Sequence, residues 1–150
     1  MTALHKQDFC AWTQLQAQFL KKGQLSQLDI PHLIEELESM SATEKRELIS
    51  RLVILLMHLL KWQFQPAFQS RSWLLTIEEQ RLQLDDHLDE NPSLKNPQFL
   101  QTSIDKAYRR ALVKAEKETG LSRKAFPQTC PYSFVQMMDM DFYPTEKDLH

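Results

Sequence analysis

The sequence predicts an all-α fold, a single-domain bundle of five to six helices. Only two glycines occur in 150 residues, apolar residues recur at spacings of three and four, and no segment shows the alternating pattern of a β-strand. A chain of this length can bury roughly 70% of its unfolded surface, which is enough for one core without disulfides or metal. We therefore expect one helical domain over residues 1–150, with residues 1–6 and 145–150 loosely ordered.

The first two predicted helices precede residue 41. Asp8 is a suitable N-cap, and Gly23 a suitable left-handed terminator, for the first of them. Pro31, which is favoured in the first turn of a helix, begins the second. The apolar stripe of this second helix consists of Leu33, Ile34, Leu37 and Met40. Glutamates occupy positions 35, 36 and 38, so the pattern is that of an amphipathic helix.

The third predicted helix, over about residues 43–65, is the apolar centre of the bundle. Ser41 and Glu44 have the spacing of a capping box, and Pro66 removes a backbone donor and so ends the helix. From Val53 to Leu60 every position but one is apolar. Such a helix is not one-sided, and we expect it to run through the middle of the domain.

Two further helices and a C-terminal strap complete the predicted fold. The segment SRSW begins helix four, which the Asn-Pro pair at position 91 interrupts. The Asn-Pro pair at position 96 introduces helix five, which ends at Gly120. The remaining chain consists of short pieces rich in proline and aromatic residues. It predicts an irregular strap over the bundle, with one short helix over about residues 131–138.

Charge, cysteine content and hydropathy exclude several classes of protein. A net charge of -2 gives no broad attraction to nucleic acid or to anionic membranes, so neither is expected as a partner. Cys10 and Cys130 form no CxxC or Cys/His cluster, and single cysteines suit a reducing cytosol. No apolar stretch is long enough for a signal peptide or a membrane span. These observations predict a cytoplasmic protein.

Several segments of the chain resemble one known family. They are DFCAW, LDIPHLIEELESM, LLMHLLKWQFQP with the following SRSW and TIEEQR, and the late FPQTCPYS. Together they make nearly the whole chain similar to the bacterial family of domains of unknown function numbered 29. The resemblance implies a compact, entirely helical, cytosolic protein. It implies no activity, because the family has none established, and so it supplies no catalytic residue.

One cluster of polar residues is a candidate catalytic site. His58 and Lys61 are three apart on one face of the third predicted helix, and Glu35 and Glu38 are three apart on the second. If these helices are antiparallel neighbours, a carboxylate could meet the imidazole or the ammonium and prepare it for general acid–base work. The alternative function is therefore a helical hydrolase or nuclease. The favoured interpretation is structural, with a glutamate pairing Lys61, Arg71 or His58 to orient two helices.

No metal and no cofactor are predicted. His32, Glu35 and Glu36 have ligand spacing, but a di-metal bundle needs Glu-x-x-His on two helices and this chain has no such repeat. The spacing of Arg51 to His58 is loosely that of helical ribonucleases, yet such pairs are expected by chance in this composition. Cys130 would be a reactive thiol only beside a base, and we expect a buried structural cysteine instead.

The start of helix four is the predicted partner-binding surface. Arg71, Trp73 and Arg81 could form a basic and aromatic cluster there, although such residues also cap and pin a preceding turn. The predicted function is a non-enzymatic protein-interaction or regulatory module that recognises an unknown protein partner. Homo-oligomers are possible, and whether the chain is also an enzyme is left open.

Overall fold

A computed structural model describes the backbone of residues 2–148 and the side chains of residues 4–147. Over these residues the chain forms α-helices and no β-strand, so the predicted all-α class is confirmed. The α-helices are α1 Thr2–Gln7, α2 Phe9–Lys21, α3 Ile30–Phe64, α4 Arg71–Glu90, α5 Pro97–Thr119 and α6 Phe134–Met138. Short 3-10 helices lie at Leu25–Gln27, Pro66–Phe68, Pro92–Lys95, Arg123–Ala125 and Glu146–Asp148.

Most helix ends lie where the sequence predicts them. The Asp8 carboxylate accepts a hydrogen bond from the backbone N–H of Ala11 and so caps α2, and Asn96 caps α5 in the same way. Gly23 and Gly120 have φ angles of 70° and 77°, the left-handed conformation that ends a helix at low cost for glycine.

The predicted boundary between helices two and three is wrong. Both belong to α3, a single helix of 35 residues, and Ser41 and Glu44 lie inside it. A capping box requires non-helical backbone at the serine. No proline or glycine occurs between Pro31 and Pro66, so nothing in this stretch interrupts the helical hydrogen bonds. The predicted central helix of residues 43–65 is therefore the second part of a longer one.

The chain divides into two compact units, Met1–Thr43 and Glu44–His150, called here the N-terminal unit and the C-terminal unit. The single domain over residues 1–150 stays a prediction. Residues 2–6 belong to α1 and residues 146–148 form a 3-10 helix, and the expected loose order of residues 1–6 and 145–150 stays a prediction. Met1, Leu149 and His150 lie outside the described residues.

Few side chains of the N-terminal unit are buried, and most of those are polar. They are Trp12, Gln16 and Asp29. The indole Nε1 of Trp12 donates to an Asp29 carboxylate oxygen at 3.0 Å. The side-chain oxygen of Gln16 accepts the backbone N–H of Asp29 at 2.7 Å. This unit has little apolar packing, and hydrogen bonds among its buried polar side chains therefore contribute to holding it together.

The C-terminal unit has a large aliphatic core. The second part of α3 supplies fully buried leucines, and α4, α5 and the strap pack apolar residues against them. Its central members include Leu52, Leu56, Leu59, Leu60, Ile77, Leu84, Ile104, Ala111, Tyr132 and Met137. Among the described residues, no helix is both long enough and apolar enough to cross a membrane.

Candidate functional sites

The first candidate site surrounds the turn between α3 and α4. Pro66 follows the last turn of α3, and the Ser70 hydroxyl caps α4 by accepting the backbone N–H of Trp73 at 3.2 Å. This turn brings the Trp73 ring under the ammonium of Lys61, 4.6 Å from the ring centroid. Glu118, in the last turn of α5, accepts a hydrogen bond from Lys61 Nζ at 3.0 Å. The Lys61 charge is thus held by a carboxylate and an aromatic face.

A cavity of about 230 Å³ opens at this cluster, lined by Lys61, Gln65, Phe68, Trp73, Glu118 and Thr119. Lys61 itself is buried, at 7% exposure. Its stem covers apolar surface while its head reaches Glu118, which is the arrangement expected of a structural lysine. The cluster can neutralise one charge and join α3 to α4 and α5.

His58 lies one turn before Lys61 and is half-buried. Its Nδ1 donates to the backbone oxygen of Ile54 at 2.9 Å, so Nε2 carries no proton when the ring is neutral. Burial lowers the pKa of His58, and the positive charge of Lys61 lowers it further, while the bond to Ile54 and the charge of Glu118 act the other way. The neutral ring is therefore the favoured form.

The predicted glutamates do not join this cluster. Glu35 and Glu38 are exposed residues of the N-terminal unit and lie in the same helix as His58, 20 or more positions before it. An α-helix advances about 1.5 Å per residue, so side chains that far apart in one helix cannot touch. The antiparallel arrangement on which the predicted catalytic cluster depended does not form.

The predicted partner-binding residues are separated by the fold. Arg71 is exposed and Trp73 is half-buried against Lys61, but Arg81 is only 1% exposed. Arg81 Nε donates to the backbone oxygen of Met137 at 2.6 Å, and one of its terminal nitrogens donates to that of Phe142 at 2.7 Å. Through these hydrogen bonds Arg81 joins the strap to α4, and it cannot belong to an exposed surface.

A second cluster joins the middle of α3 to the last turn of α4. His87 of α4 points Nδ1 at the carboxylates of Glu47, at 3.0 Å, and Glu44, at 3.6 Å. Its Nε2 lies 2.9 Å from the backbone oxygen of Glu44. Among the described residues this is the one group of three whose ligand atoms lie close enough together to hold a metal ion.

The N-terminal unit contains a third polar cluster. Asp29 accepts hydrogen bonds from Trp12 Nε1 and from His32 Nδ1, the latter at 2.8 Å. The rings of His32 and His5 stack with centroids 4.1 Å apart, and His5 Nε2 donates to Glu36 at 2.8 Å. Burial would raise the pKa of Asp29, but the hydrogen bonds from His32 and Trp12 outweigh it and lower the pKa. His32 and Glu36 thus have separate partners, not a shared ligand.

Cys130 is half-buried, and its Sγ lies 3.5 Å from the backbone oxygen of Tyr132. Burial is the main cause that raises the pKa of this thiol. A raised pKa disfavours the thiolate, which is the nucleophilic form. The structure gives Cys130 the character of a packing residue.

The last candidate site is an exposed apolar face on the first part of α3. It consists of Ile30, Ile34, Leu37 and Met40, called here the α3 stripe, whose members are 51–63% exposed. Their spacings of four, three and three place them along one side of the helix. Contiguous exposed apolar side chains mark association sites more often than scattered ones do.

One family model matches the chain, described as "Domain of unknown function DUF29", over residues 4–143. The chain belongs to this family. The resemblance seen in the sequence is thereby confirmed. No curated protein matches the chain, and no solved structure does.

In this DUF29 chain, sequence reasoning missed three carboxylates of these clusters for one reason. The sequence places Glu118 near the end of a helix that stops at Gly120, and it shows Glu44 and Glu47 as carboxylates three positions apart. Nothing in the sequence said which helix would lie opposite each of them. The pairings with Lys61 and with His87 depend on how α4 and α5 pack within the C-terminal unit.

Proposed function

We propose that this chain is a non-enzymatic protein-interaction module, which docks one amphipathic helix of a partner protein on the α3 stripe. The observation that supports this function is the exposure of four large apolar side chains at helical spacing. An amphipathic partner helix would cover such a row with its own residues at spacings of three and four. The cytoplasmic location and the absence of a nucleic-acid partner stay predictions.

The size of the stripe favours a single helix as its occupant. A stable interface between two globular proteins buries about 800 Å² on each side. Four side chains in one row, each about half exposed, fall well short of that area. A partner helix needs only a narrow apolar row and gains specificity from the charges beside it.

Charge further defines the partner. Glu35 and Glu38 are exposed beside the stripe, and α3 carries no lysine or arginine between Ile30 and Thr43. A partner helix with lysines or arginines along its edges would complement these carboxylates. Two copies of the same acidic face would bring like charges together, which disfavours a homodimer through this surface.

Site-specific photo-crosslinking in the organism that encodes the chain tests this function. A benzophenone amino acid replaces Leu37, and, as the matched control, Val135 of α6, which is also apolar and 77% exposed. Mass spectrometry then reads the sequence of any segment crosslinked to each position. We expect a crosslink at position 37 but not at 135, to a segment with helical apolar spacing and an excess of lysine and arginine.

A charge variant sharpens the result. Glu38→Lys should reduce the crosslink at position 37, whereas Asp85→Lys, an exposed acidic position of α4, should leave it unchanged. A crosslink at 37 to a second copy of the same chain would replace the proposed partner with a homodimer. Equal crosslinking at 37 and 135, or an acidic partner segment, would refute the proposal.

A further inference from the structure

The surroundings of His87 determine which of its ring nitrogens carries a hydrogen. The ring is buried, at 5% exposure, and its Nε2 lies 2.9 Å from the backbone oxygen of Glu44. A carbonyl oxygen can only accept, so Nε2 must carry the hydrogen. In the neutral ring, Nδ1 then carries no hydrogen and has a lone pair that can only accept.

That lone pair points at negative charge. Glu47 Oε2 lies 3.0 Å from Nδ1 and Glu44 Oε2 lies 3.6 Å from it. The His87 ring is buried while the two glutamate side chains are partly exposed, and three acceptors that face one another repel unless a positive charge lies among them. A proton on Nδ1 or a metal ion between these atoms would supply that charge, whereas Arg51 reaches the other oxygen of Glu47.

We propose that Glu44, Glu47 and His87 bind a divalent first-row transition-metal ion, with Zn²⁺ as its most suitable probe. In a tetrahedral site with bonds of about 2.0–2.1 Å, neighbouring ligand atoms lie about 3.4 Å apart. The separations of 3.0 and 3.6 Å bracket this spacing, and all three ligand atoms lie within 4.8 Å of one another. Small side-chain rotations would close the site around the ion.

The proposed ligand side chains have the hydrogen-bond partners that metal ligands usually have. A metal-binding histidine usually donates its other ring N–H to a carbonyl or carboxylate, as His87 does to the backbone of Glu44. The second oxygen of Glu47 accepts a hydrogen bond from Arg51 at 2.8 Å, and Arg51 also donates to Gln83. These bonds orient Glu47 with its free oxygen toward His87.

The site is also open to solvent on one side. A cavity of about 220 Å³ is lined by Glu47, Arg51, Gln83, Asp86, His87 and Glu90. It leaves room for water to complete the coordination and for an ion to enter. Four carboxylates, those of Glu44, Glu47, Asp86 and Glu90, lie at or beside the site against one guanidinium, which favours a double positive charge over a single one.

The donor atoms indicate the class of ion. One imidazole nitrogen with two carboxylate oxygens suits Zn²⁺ and its first-row neighbours. Calcium prefers six to eight oxygen ligands, and magnesium keeps most of its water and takes few protein ligands. The proposal does not rest on the docking of a partner helix, so either can fail without the other.

Isothermal titration of the untagged full chain with Zn²⁺, after EDTA treatment and its removal, tests the site. Because His87 is buried and its replacement could prevent folding, the test uses Glu44→Gln and Glu47→Gln, whose side chains are 45% and 39% exposed. Asp85→Asn, which removes an exposed carboxylate of α4 outside both the group of three and the cavity lining, is the matched control.

We expect one Zn²⁺ per chain and affinity that falls by roughly 100-fold or more in each glutamine variant, since even outer partners of metal ligands contribute 10- to 100-fold. Asp85→Asn should bind within a few-fold of the original chain. In nitrogen-detected NMR of the histidine rings, Zn²⁺ should shift His87 Nδ1 while Nε2 keeps its proton.

Three results would overturn the proposal. One is no saturable binding of Zn²⁺, with both nitrogens of His87 protonated, which would make the group an ion pair of an imidazolium with two carboxylates. Another is binding that Glu44→Gln and Glu47→Gln leave unchanged. The third is binding lost in His32→Ala but kept in both glutamine variants, which would place the ion in the N-terminal unit.

Discussion

The two parts of α3 have similar apolar residues and opposite surroundings. In the N-terminal unit, residues 30–43 leave Ile30, Ile34, Leu37 and Met40 exposed. In the C-terminal unit, residues 44–64 bury every leucine, and even Lys61 and Gln63 are buried. A helix of continuous backbone can thus be a core element in one part and present an exposed apolar face in the other.

The two units are also stabilised by different interactions. Hydrogen bonds among Trp12, Asp29 and His32 organise the N-terminal unit, while aliphatic packing dominates the C-terminal unit. Burial of apolar surface contributes more free energy than most single hydrogen bonds. We therefore expect the C-terminal unit to be the more stable one, and mutations there to have the larger effects.

The largest expected effect is Leu56→Ala, and Leu37→Ala is its matched partner in the same helix. Leu56 is fully buried, so its truncation leaves a cavity and should lower the free energy of unfolding by about 2–5 kcal/mol. Leu37 is 63% exposed, and the same substitution there should change the free energy of unfolding by less than about 0.5 kcal/mol. Urea unfolding monitored by circular dichroism measures both. Equal costs would contradict the difference between the two parts of α3.

Arg81→Met should have the next largest effect, because it removes donors from the strap. The backbone oxygens of Met137 and Phe142 would lose a charged partner, at a combined cost of about 2–4 kcal/mol. Arg71→Met, in the exposed first turn of the same helix, should cost less than about 0.5 kcal/mol. Hydrogen exchange should locate the loss of protection in residues 134–143. A loss spread evenly over α3 and α5 would show that Arg81 stabilises more than the strap.

Lys61→Met tests a smaller contribution. If the carboxylate partner of Lys61 were buried, removal of the lysine would leave an unpaired buried charge and cost several kcal/mol. Glu118 is instead 44% exposed in its side chain and can be hydrated when Lys61 is gone. The methionine keeps the packing on Trp73, so we expect a loss of about 1 kcal/mol or less. Lys61→Ala, which also removes the stem, should cost more. A loss above about 3 kcal/mol in the methionine variant would show that Glu118 is desolvated.

Local sequence signals predicted most of the backbone. Caps and terminators act within one helical turn, which is why Asp8, Asn96 and Gly120 were identified correctly. The wrong boundary at Ser41 came from a capping pattern with no helix breaker beside it. The spacing of serine and glutamate is permissive for a cap but does not stop a helix that can continue.

The candidate sites could be predicted only in part. His58, Lys61 and Trp73 stood out as polar or aromatic residues beside an apolar run, and the last two do meet. Their carboxylate partner is Glu118, 57 positions after Lys61, and no periodicity encodes that pairing. For the same reason Arg81 was expected on the surface, because an arginine that donates to three strap carbonyls looks no different in sequence from an exposed one.

The smallest predicted effects are on the pH dependence of stability, which should change in different pH ranges for the two units. Burial lowers the pKa of His58 below its ordinary 6.5, so the folded C-terminal unit binds fewer protons than the unfolded chain does as pH falls past that value. Its contribution to stability is complete above pH 6.5 and is lost as pH falls through the folded pKa. His58→Gln should therefore weaken the decline in stability between pH 7.5 and 5.

In the N-terminal unit the corresponding group is Asp29, whose pKa is lowered from 3.8 by its hydrogen bonds with His32 and Trp12, which outweigh its burial. Its contribution is complete above pH 3.8 and is lost only at more acid pH. Asp29→Asn should flatten the stability profile below pH 4 and leave the range from 7.5 to 5 unchanged. Urea unfolding of both variants across pH, each compared with the original chain, measures the two windows. If Asp29→Asn altered the upper window, or His58→Gln left it unchanged, the assignment of these two groups to separate pH ranges would be wrong.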